Sequence, residues 1–237
     1  MNKIHLSIVN STNTYLKENY KELDNLTFVS TDEQTHGRGR NLRNWKSENG
    51  KNLLFSLLIL DKELIKHYKE LSIISALTIC QIIEEMNISD VSIKWPNDVY
   101  IKDKKICGIL LEALTKDEIE CLIIGVGLNV NQDIFEGEYI IEPTSLKNEL
   151  NKDIDINELK EKVYSKLIYN INSLSKDNNF YEYISKHDYL KSRKAYALIN
   201  DSKQYIKIIG INKDYSLKIK QNDKEIDIES GEISFHI

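Results

Sequence analysis

Leu53-Leu54-Phe55-Ser56-Leu57-Leu58-Ile59-Leu60 is an apolar run of strand length. A run with apolar residues at both odd and even positions reads as a central strand covered on both faces, not as an edge strand with one wet face. Downstream, residues 71–86 carry apolar side chains at helical spacing (Ile73, Leu77, Cys80). Residues 91–95 read as a strand that stops at Pro96, which forces Trp95 into an extended conformation. Residues 99–101 and 106–114 read as two strands of a hairpin around Lys102-Asp103-Lys104, and 121–130 as another buried strand. An amphipathic helix follows over 158–174, with a shorter one over 180–190. Upstream, Asn10-Ser11-Thr12-Asn13 offers capping chemistry ahead of a helix over 15–23, and 26–30 reads as a short strand. Residues 31–52 are polar and hold Gly37, Gly39 and Gly50, so they read as a long loop or set of turns, a kind of segment that is usually functional. Beyond about Arg193 the pattern changes to short alternating strands over 196–199, 205–209, 217–219, 225–228 and 233–235. Five such strands suggest a small β-barrel appended to a larger α/β unit.

The chain has 237 residues, 41% hydrophobic and 29% charged, a globular balance rather than a disordered one. Its three cysteines, Cys80, Cys107 and Cys121, are too few and too scattered for a disulfide framework or a structural zinc site. No apolar stretch approaches the roughly 18 residues that cross a bilayer, and the first residues lack a signal-peptide core. The formal charge of -5 argues against a general nucleic-acid coat protein. The expectation is a soluble protein of a reducing compartment, the cytoplasm.

Three segments carry chemistry. In Thr31-Asp32-Glu33-Gln34-Thr35-His36-Gly37-Arg38-Gly39-Arg40-Asn41-Leu42-Arg43-Asn44-Trp45, three arginines fall within six positions, interleaved with two glycines. Glycines let backbone N–H groups approach an anion, and guanidinium forks pair with carboxylate or phosphate. The same run also reads as a solvated basic loop or a small RNA-binding patch; Trp45 and the adjoining buried strand favour an ordered anion-binding loop. The second segment is Lys94-Trp95-Pro96-Asn97-Asp98, followed by Lys105-Ile106-Cys107-Gly108-Ile109-Leu110-Leu111-Glu112. Lys105 there is either an ordinary snorkelling side chain or a point charge for a carboxylate and then a phosphate. The third, Gly125-Val126-Gly127-Leu128-Asn129, is weak alone: no Walker loop exists in the chain, and the dinucleotide fingerprint lacks its third glycine. The five histidines show no metal-ligand spacing.

In this order the segments resemble biotin protein ligases. The matching elements are Ser11-Thr12-Asn13; Gln34 with Gly37-Arg38-Gly39-Arg40 and Arg43-x-Trp45; Asn52-Leu53; Lys94-Trp95-Pro96-Asn97-Asp98; Lys105-x-x-Gly108-Ile109-Leu110-x-Glu112; Gly125-x-Gly127-x-Asn129; Thr144-Ser145-Leu146; and Ser230-Gly231-Glu232-Ile233-Ser234. They span nearly the whole chain. Leu42 stands where many relatives have glycine. The resemblance implies an α+β fold: a mixed β-sheet with helices on one side, of the class II synthetase-like biotin/lipoate ligase type, over residues 1–190, then a small SH3-like β-barrel over 191–237. Some relatives carry an N-terminal helix-turn-helix domain; with Ser11 so near the start, the form without it is expected.

The implied reaction joins biotin to ATP as biotinyl-5'-AMP and then to a lysine of a biotin carboxyl carrier protein, with Mg²⁺ accompanying ATP. By resemblance, Ser11, Thr12, Asn13, Gln34, Gly37, Arg38, Gly39, Arg40, Lys105 and Gly108 bind biotin or its adenylate. Arg43, Trp45, Asn97 and Asn129 lie on the ATP side, and Arg40, Lys105 and Asp98 carry the chemistry. Asp98 is the one candidate for a metal contact. No DNA or membrane partner is expected, and a monomer and a homodimer are both open. Rival readings are a lipoate ligase of the same fold, a nucleic-acid-binding regulator and a non-catalytic biotin sensor.

Overall fold

The computed structural model describes residues 2–40, 43–174, 180–199, 202–229 and 235–236. Its larger sheet has seven strands: β1 (Lys3–Val9), β2 (Phe28–Gln34), β3 (Asn52–Ile59), β4 (Val91–Lys94), β5 (Asp98–Ile101), β6 (Lys104–Thr115) and β7 (Ile119–Asn129), in the order β1-β2-β3-β7-β6-β5-β4. The β1–β2 pair is parallel and every other pair antiparallel, so the sheet is mixed. All eight residues of β3 are buried, as its apolar run requires. Side-chain alternation sends Leu53, Phe55, Leu57 and Ile59 to one face, into the main core, and Leu58 to the other. Leu57 is fully buried, and truncating it to alanine would cost about 2–5 kcal/mol.

Helices α3 (Tyr68–Glu85) and α5 (Ile156–Ile171) cover the main-core face. The Asp155 carboxylate caps α5 by accepting from Asn157 N and Glu158 N. Helix α6 (Phe180–Lys186) adds Ile184 to the same core. The short α1 (Thr12–Asn19) crosses the opposite face, with Leu16 against Val29, Leu58, Cys121 and Ile123. Two further short helices are α2 (Lys62–Ile65) and α4 (Leu146–Leu150).

A five-stranded antiparallel sheet follows: β8 (Lys194–Ile199), β9 (Ser202–Ile211), β10 (Leu217–Gln221), β11 (Lys224–Ile228) and β12 (Phe235–His236), in the order β11-β10-β9-β8-β12. It is consistent with the SH3-like unit expected. Its Ile206, Ile208, Leu217 and Ile219 belong to the same buried cluster as α3 and the large sheet, and Trp95 Nε1 donates to Tyr215 O at 2.9 Å.

Several boundaries differ from those the sequence suggests. Helix α1 begins at Thr12 and not at residue 15, so Thr12 and Asn13 form its first turn. Strand β2 runs on to Gln34, into the stretch read as loop, because β1 pairs with it through Ile8↔Glu33 and Val9↔Gln34. Helix α6 ends at Lys186 and not at residue 190. Leu42 and the segment 230–234 lie outside the described residues, as does most of the last strand expected at 233–235.

Candidate active site

The site lies on the face of the sheet that α1 crosses. The segment after β2 folds back as a small hairpin: Trp45 N donates to Gly37 O at 2.9 Å, Gly39 N to Arg43 O at 2.7 Å, and Arg38 bridges Asn44. This brings the three arginines over the sheet beside the β4–β5 turn. Asn97 in that turn donates from Nδ2 to Ile109 O at 2.7 Å and accepts at Oδ1 from Arg40 Nη1 at 3.1 Å, so it latches Arg40 to β6.

Gly108 and Gly127 face each other in the β6–β7 register, and the Trp45 indole lies across them. A Cβ at Gly127 would meet Trp45 Cε2 at 2.5 Å, and one at Gly108 would meet Cζ3 at 2.9 Å. Two residues earlier on β7, Gly125 leaves room for the Asn13 side chain, whose amide would collide with any Cβ there. The glycines therefore clear space for side chains of the site itself. Trp45 Nε1 is buried without a hydrogen-bond partner among the described residues.

At the α1 end, Gln34 Oε1 accepts from Thr12 N at 2.9 Å and Thr12 Oγ1 at 3.1 Å. Ser56 Oγ lies 2.5 Å from Asn13 Oδ1 and 2.6 Å from Thr12 Oγ1. Ser11 takes the N-cap backbone geometry but makes no side-chain cap bond, so its hydroxyl is not spent on its own helix. At the other end, Lys105 Nζ sits 2.7 Å from Asp98 Oδ1, at an approach angle that makes an ion pair but not an aligned hydrogen bond. The Lys105 ammonium also lies 5.7 Å from the Trp45 ring centroid.

All the candidate residues except Gly37 line one cleft of about 480 Å³. Gly37 is buried behind it, against the Trp45 carbonyl. Asn129 is in the wall, but its amide donates to Thr144 O at 3.0 Å, so it holds the 144–146 segment against β7. The cleft's cations are Arg38, Arg40, Arg43, Lys46, Lys94 and Lys105, against the carboxylates Asp98, Glu136 and Glu138. Burial pulls the Arg40 guanidinium below its ordinary pKa, with Asp98 opposing. Burial likewise lowers Lys94, and although Asp98 opposes that, Lys105, Arg43 and Arg193 push it further down. Both directions mark positive charge that is incompletely compensated, which a bound anion relieves.

Lys94, Tyr100, Ser56 and Glu112 were not singled out for roles in the sequence. Lys94 Nζ contacts Tyr100 Oη at 3.4 Å inside the cleft. The signal for Glu112 is parity: it lies two and four residues beyond Leu110 and Gly108 on a strand, hence on the same face. Among the described residues no three His, Cys, Asp or Glu side chains gather as a metal site, and no helix is long and apolar enough to cross a membrane.

Comparison with known proteins identifies the family. Residues 6–129 match the model of the biotin/lipoate A/B protein ligase family. The chain is 31% identical to a biotin protein ligase from Aquifex aeolicus solved with biotin and ATP, covering 99% of this chain and 98% of that one at a TM-score of 0.87. It is 38% identical over 132 residues to the bifunctional ligase/repressor BirA of Bacillus subtilis, a match spanning 54% of this chain and 41% of that protein. Against the BirA of Escherichia coli it is 27% identical over 97% of this chain and 72% of the relative. The chain belongs to the biotin/lipoate A/B protein ligase family.

Proposed function

We propose that this chain is an ATP-dependent biotin–protein ligase. The observation that carries the reading is the cleft itself, which six arginine and lysine side chains from three segments line together with Asp98 in a protein of net charge -5. A carboxylate and a polyphosphate repel each other, and fixed cations at the meeting point lower that barrier. In the first step a biotin carboxylate oxygen bonds to the α-phosphorus of ATP while the bond to the bridging oxygen breaks and pyrophosphate leaves. In the second, a lysine amine attacks the acyl carbon, the C–O bond to AMP breaks, and the amide nitrogen loses its proton.

Thr12, Asn13, Gln34 and Ser11 suit the ureido end of biotin, since they bring neutral donors and acceptors together at one end of the cleft. Lys105 and Arg40 suit the carboxylate and the phosphate, with Arg38 closing over them. Arg43, Trp45 and Asn97 lie toward the nucleotide. Magnesium fits as an ion that arrives on the triphosphate and keeps phosphate and water ligands, with Asp98 the residue at hand for one position. Bound there, it would supply neutralisation of phosphate charge.

The acceptor in this reading is a biotin carboxyl carrier protein, and the division of labour falls near residue 190, with the C-terminal sheet as an accessory unit. Three unpaired buried cysteines suit a reducing, cytoplasmic setting. The test is transfer of labelled biotin to a carrier domain with ATP and Mg²⁺, with lipoate offered in parallel. Biotin transfer is expected; transfer of lipoate alone, or biotin binding without pyrophosphate release, overturns the reading.

A further inference from the structure

Glu112 stands at the junction between the two halves of the cleft without lining it. Its side chain is 18% exposed, and three donors from two separate segments reach it. Asn13 Nδ2 donates to Oε2 at 2.7 Å, Arg38 Nη2 donates to the same oxygen at 3.2 Å, and Lys17 Nζ reaches Oε1 at 2.6 Å. Arg38 Nη2 also donates to Thr14 Oγ1 at 3.2 Å.

We infer that Glu112 is the positioning residue that joins these halves: one carboxylate oxygen sets which way round the Asn13 amide lies and holds the Arg38 guanidinium of the arginine hairpin. Donor and acceptor capacity decides the orientation. An ionised carboxylate only accepts, so Asn13 must turn its NH₂ toward Glu112 and its carbonyl toward Ser56. The Ser56 hydroxyl then has an acceptor at 2.5 Å, and the Thr12 hydroxyl beside it is left to donate to Gln34. The polarity of the floor from β6 to β2 thus follows chiefly from this charge, which at 2.7 Å is a much closer acceptor for Asn13 Nδ2 than Leu110 O at 3.5 Å. A glutamine in place of Glu112 has both a donor and an acceptor, so it fits either orientation of Asn13 and fixes neither. It also removes the anion from Arg38.

Lys17 separates this role from simple stitching. It pairs with the other carboxylate oxygen and is outside the cleft wall. Were Glu112 only an ion-pair anchor for α1, losing Lys17 would do as much harm as losing the carboxylate.

The inference rests on the biotin ligase reading, and the experiment separates the two. Biotin binding is titrated for the wild type, Glu112→Gln and Lys17→Met, alongside pyrophosphate exchange and amide hydrogen exchange at Gly39, Arg43 and Trp45, whose N–H groups close the hairpin. Glu112→Gln is expected to weaken biotin binding about tenfold, the loss of one charge-assisted hydrogen bond. The loss is expected in the biotin affinity more than in the KM for ATP, and the hairpin amides are expected to exchange faster. Lys17→Met is expected to bind biotin as the wild type does. Wild-type affinity and unchanged hairpin protection in Glu112→Gln overturn the inference, as does equal damage from Lys17→Met. A wild-type protein that does not bind biotin brings down the ligase reading and this inference with it. Glu112→Asp, which keeps the charge but withdraws it by one methylene, carries the same test if the glutamine variant does not fold.

Discussion

Gly127 lies directly beneath the indole of Trp45, at a separation that leaves no room for a methyl group: a Cβ would stand 2.5 Å from Cε2 and 2.8 Å from Nε1. The residue that caps the arginine hairpin is thereby seated on the strand pair at the centre of the sheet. Gly127→Ala is expected to displace the ring and destabilise the protein by about 1–3 kcal/mol, the range for overpacking a filled site. In a Trp45→Ala background the same substitution should cost little, since its obstacle is gone. Thermal or urea unfolding of the four proteins measures the coupling; an equal cost in both backgrounds would show that the ring is not what requires glycine.

Lys105 and Asp98 form the ion pair beside that ring. On the proposed reaction, Lys105→Ala lowers biotin-dependent ATP–pyrophosphate exchange by about 10²–10³-fold, the scale of losing one preorganised charge at a reacting centre. The side chain is 30% exposed, so the fold is expected to survive, and circular dichroism controls for it. Near-normal exchange would remove Lys105 from the mechanism.

How much of this was legible in the sequence depended on how local the signal was. Strand β3, helix α3 and strand β7 are buried along most of their length, so their apolar periods stand out in the chain. Strand β1 was missed because it lies at the sheet edge with a half-exposed pattern and gains its place only by pairing with β2, across residues far apart in sequence. For the same reason Thr31-Asp32-Glu33-Gln34 looked like loop: polar composition says nothing of a ladder supplied by a distant segment. That error mattered for the site, since it is the end of β2 that delivers Gln34 to the Thr12 backbone. The cationic residues were found because their types are unusual and clustered. Ser56 and Glu112 were not given roles because nothing in their own neighbourhoods shows that Asn13 lies between them.

Arg40 offers a test of containment. Its guanidinium donates to Asn97, and Asn97 in turn donates to β6, so this side of the hairpin is latched over the cleft. On the proposed reaction, a latch of this kind would retain the reactive adenylate until the acceptor arrives. Arg40→Gly is expected to form biotinyl-5'-AMP and lose it to solvent, labelling lysines on bystander proteins. Incubating the variant with biotin, ATP and an unrelated protein, then probing for biotin, reads this out. Labelling confined to the carrier domain would count against the hairpin's role.

The carboxylate of Glu112 is the group whose titration reports on the junction it makes. Burial alone would raise its pKa, but the hydrogen bonds from Lys17 and Asn13, with the charges of Lys17 and Arg38, outweigh that and hold it below its ordinary value. A group lowered in the folded state stabilises the fold above its unfolded pKa, about 4.3 for glutamate, and that contribution fades as pH falls through this value toward the folded pKa. Comparing the wild type with Glu112→Gln cancels the acid titration common to both. The wild type is expected to melt a few degrees higher at pH 7, roughly the shift produced by 1 kcal/mol in a chain of this size. That gap should narrow as pH drops below about 4 and vanish once the carboxylate is protonated in both states. A gap that held constant down to pH 3 would mean that shape and packing, not charge, distinguish glutamate from glutamine at this position.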